Sequence, residues 1–362
     1  HIGDKNVWDG FGDQKAGFLI TLLERIDRDT NHRGKLILLG DIFDFTMLMD
    51  LHLQLDKQRF TKYLHKIKKA YPELFKAFRN FLAEGNSLFY IWGNNDYALR
   101  YFHNFRILQK VILDKIWDNL YMNRMFHSDY FVSPEYKIYA EHGHRYDETN
   151  MHINGQRQVF GNYMTSRVVK KWESWENTAR PCRDKSMHIR YPFKHIVNVR
   201  PWQNVIYYIN RLIRRGVLQE DAKRELLKDL YAVYNDTNSP LPRFFFKILE
   251  NMPWFIQDSL VVAGARLNDH LAKTLRRKAE LLLTGSSTDL FIPSKKCTIS
   301  SILDLDFMPQ LVIFGHSHYL DYYRFKENYT YINTGTWHNT LFVNREGRVV
   351  KTNRYCPYLE IC

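Results

Sequence analysis

The sequence predicts an α/β fold interrupted by a long helical segment. Three observations carry that expectation. Four short apolar runs each end on a tight turn followed by Asp, Asn or His. The stretches before the first run and between the first and second have helical spacing. Between residues 151 and 307 strand-like runs give way to successive helical patterns. Two ends of α/β character around a helical middle read as one catalytic domain, 1–150 with 308–362, holding an insertion of 151–307.

Taken in order, Phe18, Leu19, Leu22, Leu23 and Ile26 recur at helical spacing. Lys35-Leu36-Ile37-Leu38-Leu39 is a short apolar run of the kind a buried strand shows, ending at Gly40-Asp41. One long helical region is expected from about Asp56 to Ala83. Ser87 to Trp92 is a second buried-strand run, ending at Gly93-Asn94. Tyr136 to Ala140 is a third, ending at Glu141-His142-Gly143. Gln310 to Phe314 is a fourth, ending at Gly315-His316. Tyr329–Thr334 and Thr340–Val343 are expected strands after it. In the middle, Val205, Ile206, Ile209, Leu212 and Ile213 give one apolar helical face, and Pro240 and Pro242 precede an apolar run from Phe244 to Val262.

The 362 residues are 45% hydrophobic and 25% charged, which excludes a disordered or fibrous chain. The formal net charge of +13 suggests a polyanionic partner or an anionic surface. Cys182, Cys297, Cys356 and Cys362 form no C-x-x-C pair, so no zinc ribbon or disulfide framework is readable. Reduced thiols, hence a cytoplasmic setting, are the expectation, with a Cys356–Cys362 pair as the alternative. No run of 18 apolar residues is present, so no membrane-spanning helix is expected. No signal peptide is visible.

The chemistry lies in four strand-end signatures: Gly40-Asp41-Ile42-Phe43-Asp44, Gly93-Asn94-Asn95-Asp96, Glu141-His142-Gly143-His144 and Gly315-His316-Ser317-His318. Loops at the carboxyl ends of strands are where α/β sheets place ligands. Asp, Asn and His together offer oxygen and nitrogen donors suited to Mn, Fe or Zn. The number of donors suits two ions sharing a carboxylate, an arrangement used to hydrolyse phosphoryl esters.

These signatures resemble those of the calcineurin-like metallophosphoesterases: D-x-H, G-D-x-x-D, G-N-[HR]-[DE], a later His-Gly, and G-H-x-H. His1-Ile2-Gly3 resembles the end of the first element, whose Asp would stand two positions before His1. The resemblance covers about 1–150 and 308–362. It implies a four-layer sandwich, two mixed β-sheets flanked by helices. It also implies two divalent ions, Mn foremost, with Fe or Zn as alternatives. His1, Asp41 and His318 would hold the first ion. Asp41, Asn94, His142 and His316 would hold the second. Asp44 would order the surroundings of Asp41. Hydrolysis would proceed by in-line attack of a hydroxide bridging the ions. Asn95, Asp96 and His144 are the implied catalytic residues. Asn95 stands where many relatives have a His able to protonate a leaving alkoxide, and an amide cannot act as an acid. The leaving group is then a good one, such as a phosphate, or His144 or His338 supplies the proton.

The nearest resemblance is to the UDP-2,3-diacylglucosamine pyrophosphohydrolase branch, on Gly93-Asn94-Asn95-Asp96-Tyr97-Ala98-Leu99. Its helical insertion forms a lid over an acyl-chain pocket, and here the insertion is much longer. Residues 155–215 carry thirteen Lys or Arg against three acids, a net of +10, interleaved with Trp172, Trp175, Tyr191, Phe193, Trp202, Tyr207 and Tyr208. Such a stretch is a solvated basic face, a lipid-phosphate or membrane-surface site, or a nucleic-acid site. Arg145, Arg211, Arg214 and Arg215 are the expected substrate-binding residues. The leading expectation is a two-metal hydrolase of a phosphate ester or anhydride, lipid-linked diphosphates among its substrates, with peripheral membrane contact through the insertion. The alternatives are a nuclease and a catalytically inactive binding scaffold on the same fold.

Overall fold

The structure is a computed structural model. It describes residues 2–3, 5, 11–43, 45, 57–114, 119–147, 199–200, 205–215, 276, 279, 307–326, 328–337, 340–343, 346, 348–353 and 356–361. Its class is α/β, as the apolar runs predict.

Helix α1, Gly12–Asp29, buries Ala16, Leu19, Leu22 and Leu23. Phe18, expected on that buried face, is 42% exposed and packs against Trp337 and Tyr358 instead. Strand β1, Lys35–Leu39, is followed by two helices, α2 at Lys57–Ala70 and α3 at Pro72–Glu84, where the sequence suggested one. Pro72 is the reason. It has no N–H to bond back and its ring clashes with the preceding turn, so it can only begin a helix. Tyr71, just before it, leaves helical geometry at φ −130°. The two helices are therefore free to turn separate apolar faces inward. Phe60, Leu64 and Ile67 lie on one, and Leu74, Phe75, Phe78 and Leu82 on the other, all buried.

Strands β2 (Ser87–Ile91) and β3 (Met125–Ser128) complete a parallel sheet of order β1-β2-β3. Helix α4, Phe102–Leu113, and the short α5, Asn119–Met122, connect them. Helical crossovers between every pair of strands force the parallel arrangement. Of the two mixed sheets expected, this one is therefore wholly parallel among the described residues.

The second sheet has the order β4-β5-β7-β9-β8, with β4 at Tyr130–Ser133, β5 at Ile138–Glu141, β7 at Leu311–Phe314, β8 at Leu320–Lys326 and β9 at Tyr329–Thr334. Here β5, β7 and β9 are mutually parallel, while β4 and β8 run antiparallel along the two edges. Ile138 of β5 pairs with Leu311 of β7, so the insertion separates two adjacent strands.

The alternation of side chains fixes how the layers stack. Leu88 and Tyr90 of β2 join the helices in one core. Ile91 turns the other way and packs with Ile138, Ala140 and Ile313 of the second sheet. Each such aliphatic side chain contributes about 1.5–3 kcal/mol when fully buried. On the far side of the second sheet Tyr139, Val312, Phe314 and Tyr331 are also buried, with Tyr146 stacked on Phe314.

A third, small sheet has the order β11-β10-β6. Strands β10 (Thr340–Val343) and β11 (Val349–Asn353) form a hairpin. Strand β6, only Val199–Arg200, adds to it in parallel. It lies in the stretch expected to lack strands, and two residues are too few to show any alternation. Helix α6, Val205–Arg214, follows and buries Tyr208, Ile209 and Leu212. Further on, Arg276 makes a two-pronged ion pair with Asp321 of β8 at 2.7–3.3 Å and lies over Tyr323. The Phe244–Val262 run and the aromatic residues 172–202 lie outside the described residues.

The C-terminal segment closes over α1. The Trp337 indole stacks near Phe11 and donates to the Pro357 carbonyl at 2.6 Å. Lys15 donates to the Trp337 carbonyl. Arg25 binds Tyr358 and Glu360. Cys356 is a free thiol, not paired with Cys362.

Candidate metal centre

Asp41, Asn94, His142 and His316 stand just past the ends of β1, β2, β5 and β7. Both sheets deliver their carboxyl ends to one place, because the strands contributing these residues are parallel within their sheets. Asp41, His142 and His316 are buried, and each can present a donor atom within 4.8 Å of the others.

Two glycines make this approach sterically allowed. A Cβ on Gly93 would lie 2.2 Å from Asp41 Oδ1 and 2.8 Å from the Asp41 nitrogen. A Cβ on Gly40 would lie 2.5 Å from His142 Nδ1, and Gly40 has a φ of +78°. Asp41 and His318 both have left-handed backbone, at φ +54° and +61°. Non-glycine residues held in that region concentrate at functional sites.

The hydrogen bonds orient the donors. His142 Nδ1 lies 2.9 Å from the Leu39 carbonyl, an acceptor only, so it carries the hydrogen and leaves Nε2 to face Asp41 Oδ2 at 3.1 Å. His316 Nε2 lies 2.9 Å from Asp147 Oδ2, which turns its Nδ1 toward His142 Nε2 at 3.2 Å. Two imidazole nitrogens and a carboxylate thus point at one another in a buried space. A cation between them relieves that opposition. An outer hydrogen bond fixing each ligating imidazole is the usual support of a metal-bound His. The donor set, one carboxylate and two imidazoles, suits a transition metal. Without metal, burial pulls the His142 pKa down, but the Asp41 carboxylate, the Leu39 carbonyl and the Asp96 charge together outweigh it and the net shift is upward. A proton then competes for the place of the ion.

The sequence-predicted residues that are described can now be placed. Asn94 is buried in the β2 loop, its amide donating to Asn95 Oδ1 at 3.1 Å. Asn95, the departure at the acid position, holds Asp41 at both oxygens, through its backbone N–H at 2.8 Å and its side-chain amide at 2.9 Å. His144 is buried with its ring 5.5 Å from that of His142 and 6.4 Å from that of His316. His318 follows His316 in the same loop but is outside the 4.8 Å group among the described residues. His1, Asp44 and His338 lie outside the described residues. Ile2, next to His1, donates to the Ile42 carbonyl at 2.6 Å and so runs beside the Asp41 loop.

Two expected roles change. Asp96 is fully buried and turned to the backbone: it accepts from Gly93 N–H at 2.5 Å, Ile42 N–H at 2.9 Å and the Tyr90 hydroxyl at 2.5 Å. It clips the Asp41 and Asn94 loops together rather than facing a reacting group. Arg145 is occupied by an ion pair with Glu141 at 2.5 Å and another with Asp129 at 3.1 Å, so its fork is not available to a substrate. Arg211, Arg214 and Arg215 are at the end of α6, the last two exposed, beside β6 of the third sheet.

Sequence reasoning gave no role to Asp147, which holds His316, or to Trp92, whose ring is 5.4 Å from His144. Their only signal was position, Asp147 five residues past His142 and Trp92 at the end of a strand. Replacing Asp147→Asn keeps the shape but removes the charge that holds the His316 ring. Mn²⁺ affinity is expected to fall by about 10–100-fold, measured by titration calorimetry, with the fold unchanged.

Burial and the neighbouring Asp41 charge push the Asp96 pKa from the usual 3.8 up to about 6. The metal-free folded protein therefore holds this proton more tightly than the unfolded chain. Stability from it is present at low pH and is lost as pH rises from about 4 to about 6. Urea melts across that range should show the fall in wild type, and Asp96→Asn should lack it.

No family model matches the chain, and no curated protein matches it.

Proposed function

We propose that the chain is a metal-dependent phosphoesterase of the calcineurin-like kind, with the four-layer sandwich of that superfamily and a helical insertion as lid. The observation supporting it is the buried Asp41–His142–His316 group, each imidazole turned by an outer partner so that its other nitrogen faces the same point. In this reading Asp41, Asn94, His142 and His316 hold one divalent ion, and His1, Asp41 and His318 contribute to a second. Bound there, such ions would supply an activated water near neutral pH and offset charge on the phosphoryl oxygens.

The chain's own residues do the rest. Asn95 holds the Asp41 carboxylate at both oxygens, which fixes its direction. Asp96 keeps the two loops in register. His144, whose ring lies 5.5 Å from that of His142, or His338 would pass a proton to the leaving oxygen. The substrate is a phosphate ester or anhydride, with lipid-linked diphosphates and contact with a membrane surface as the favoured class and setting. Among the described residues no helix is long and apolar enough to cross a membrane.

The test is metal content of the pure protein followed by Mn²⁺-dependent hydrolysis of a phosphomonoester, a phosphodiester, a diphosphate lipid and DNA. Turnover of the first three supports the reading. Cleavage confined to DNA points to the nuclease. No bound metal and no turnover of any of the four points to a binding scaffold.

A further inference from the structure

One cation near the metal centre has no assigned work. Arg100 ends a single 3-10 turn, Tyr97–Arg100, six residues after Asn94. Its side chain is exposed, and no carboxylate among the described residues pairs with it. It is nevertheless held in place. The guanidinium lies 5.9 Å from the centre of the Trp92 ring and 5.6 Å from that of Tyr97, and donates to the Tyr97 hydroxyl. The two rings meet edge-on at 5.3 Å.

The backbone beneath is fixed as well. Leu99 N–H bonds the Asp96 carbonyl at 2.8 Å, Asn104 binds the Ala98 carbonyl at 2.9 Å, and His127 bonds the Arg100 carbonyl. An exposed arginine ordinarily spends its freedom in water. Here that freedom is already given up to two aromatic rings and one neutral hydroxyl, which leave its positive charge uncompensated by any carboxylate among the described residues. A pre-ordered donor fork binds an anion with little further entropy loss.

Its place says which anion. Trp92 lies near both Arg100 and His144, and His144 lies beside His142 and His316. Arg100 is thus three ring contacts from His142 and His316, by way of Trp92 and His144, so it stands beside the candidate centre and not in it.

The geometry points to Arg100 as the binding residue for a second anionic group of the substrate, a phosphate or carboxylate carried apart from the phosphoryl group that is cleaved. This rests on the phosphoesterase reading and narrows it to substrates with two separated anionic groups.

The test uses the Mn²⁺-loaded full chain, with fructose 1,6-bisphosphate and fructose 6-phosphate as probes and titration calorimetry as readout. Wild type should bind the bisphosphate at least about tenfold tighter, about 1.4 kcal/mol. Arg100→Ala should reduce that preference to about twofold or less, with Mn²⁺ affinity and melting temperature retained. Arg100→Lys keeps the charge without the fork or the stacking and should restore only part. Equal binding of both probes by wild type overturns the proposal, as does a preference that survives Arg100→Ala. Should Arg100→Ala fail to fold, full preference in Arg100→Lys overturns it and a reduced one supports it. An Arg100-dependent preference in a protein that hydrolyses no phosphate compound would leave the anion site standing and remove the phosphoesterase. Hydrolysis with no bisphosphate preference would do the reverse.

Discussion

Asp41→Asn is expected to remove Mn²⁺ binding and to lower Mn²⁺-dependent hydrolysis by at least about a thousandfold, beyond the 10–100-fold typical of an outer partner of a ligand. The substitution keeps the size of the side chain and tolerates the left-handed backbone, a conformation Asn adopts readily. It removes the one negative charge of the buried donor group. His316→Ala should give the same loss by deleting a nitrogen ligand. Melting curves separate loss of metal from loss of fold. A ligand at a hundred times its dissociation constant stabilises the folded state by about 2.7 kcal/mol. Wild type should therefore melt higher with Mn²⁺ than without, while Asp41→Asn should melt at one temperature in both. Retained metal binding or hydrolysis in either variant would remove the proposed centre.

Gly93→Ala is expected to act as strongly with a single methyl group. Its Cβ would lie 2.2 Å from Asp41 Oδ1 and 2.8 Å from the Asp41 backbone nitrogen. The carboxylate could swing aside, but the backbone contact cannot be relieved by a rotamer. The β1 and β2 loops must separate, breaking the Asp96 bonds to Gly93 and Ile42 that join them. Forcing a methyl into such a place costs about 1–3 kcal/mol of stability. The loss of Mn²⁺ affinity should be larger than that stability loss implies, because ligand geometry fails before the fold does. Urea melts and metal titration on the same preparation check this. Gly17→Ala, where a Cβ meets nothing within 4 Å, is the matched control.

The sequence told most where the chain is buried on both sides. Runs such as Leu311–Phe314 read as strands because nearly every residue in them is apolar, and the glycine and polar residue that end each run mark the site. Edge strands were less legible. Leu320–Lys326 mixes aromatic with charged residues and leaves Leu320 and Tyr322 exposed, so it carries no buried run to detect. The break between α2 and α3 was legible in Pro72 but hidden by apolar spacing on either side.

At the site, residue types revealed the candidate ligands and not their supports. Asp41, Asn94, His142 and His316 sit in motifs, whereas Asp147 and the Leu39 carbonyl act through contacts made 169 and 103 residues along the chain. Arg145 misled because its charge is visible in sequence while its partners, Glu141 and Asp129, are known only from the fold.

The pairing of Ile138 with Leu311 also bears on how the chain is made. The strand that will lie beside β5 begins 170 residues after β5 ends, so β5 leaves the ribosome long before that strand is made. Until then β5 has only β4 on one flank, and its other edge is open. His142 waits equally long for His316. The first sheet and its helices can form early, from α1 to β3. The Asp41–His142–His316 group cannot, since its last member follows β7. Long-range parallel pairing of this kind folds slowly. A nascent chain halted within the insertion should therefore hold a folded first sheet, an unfinished second sheet and no capacity to retain metal.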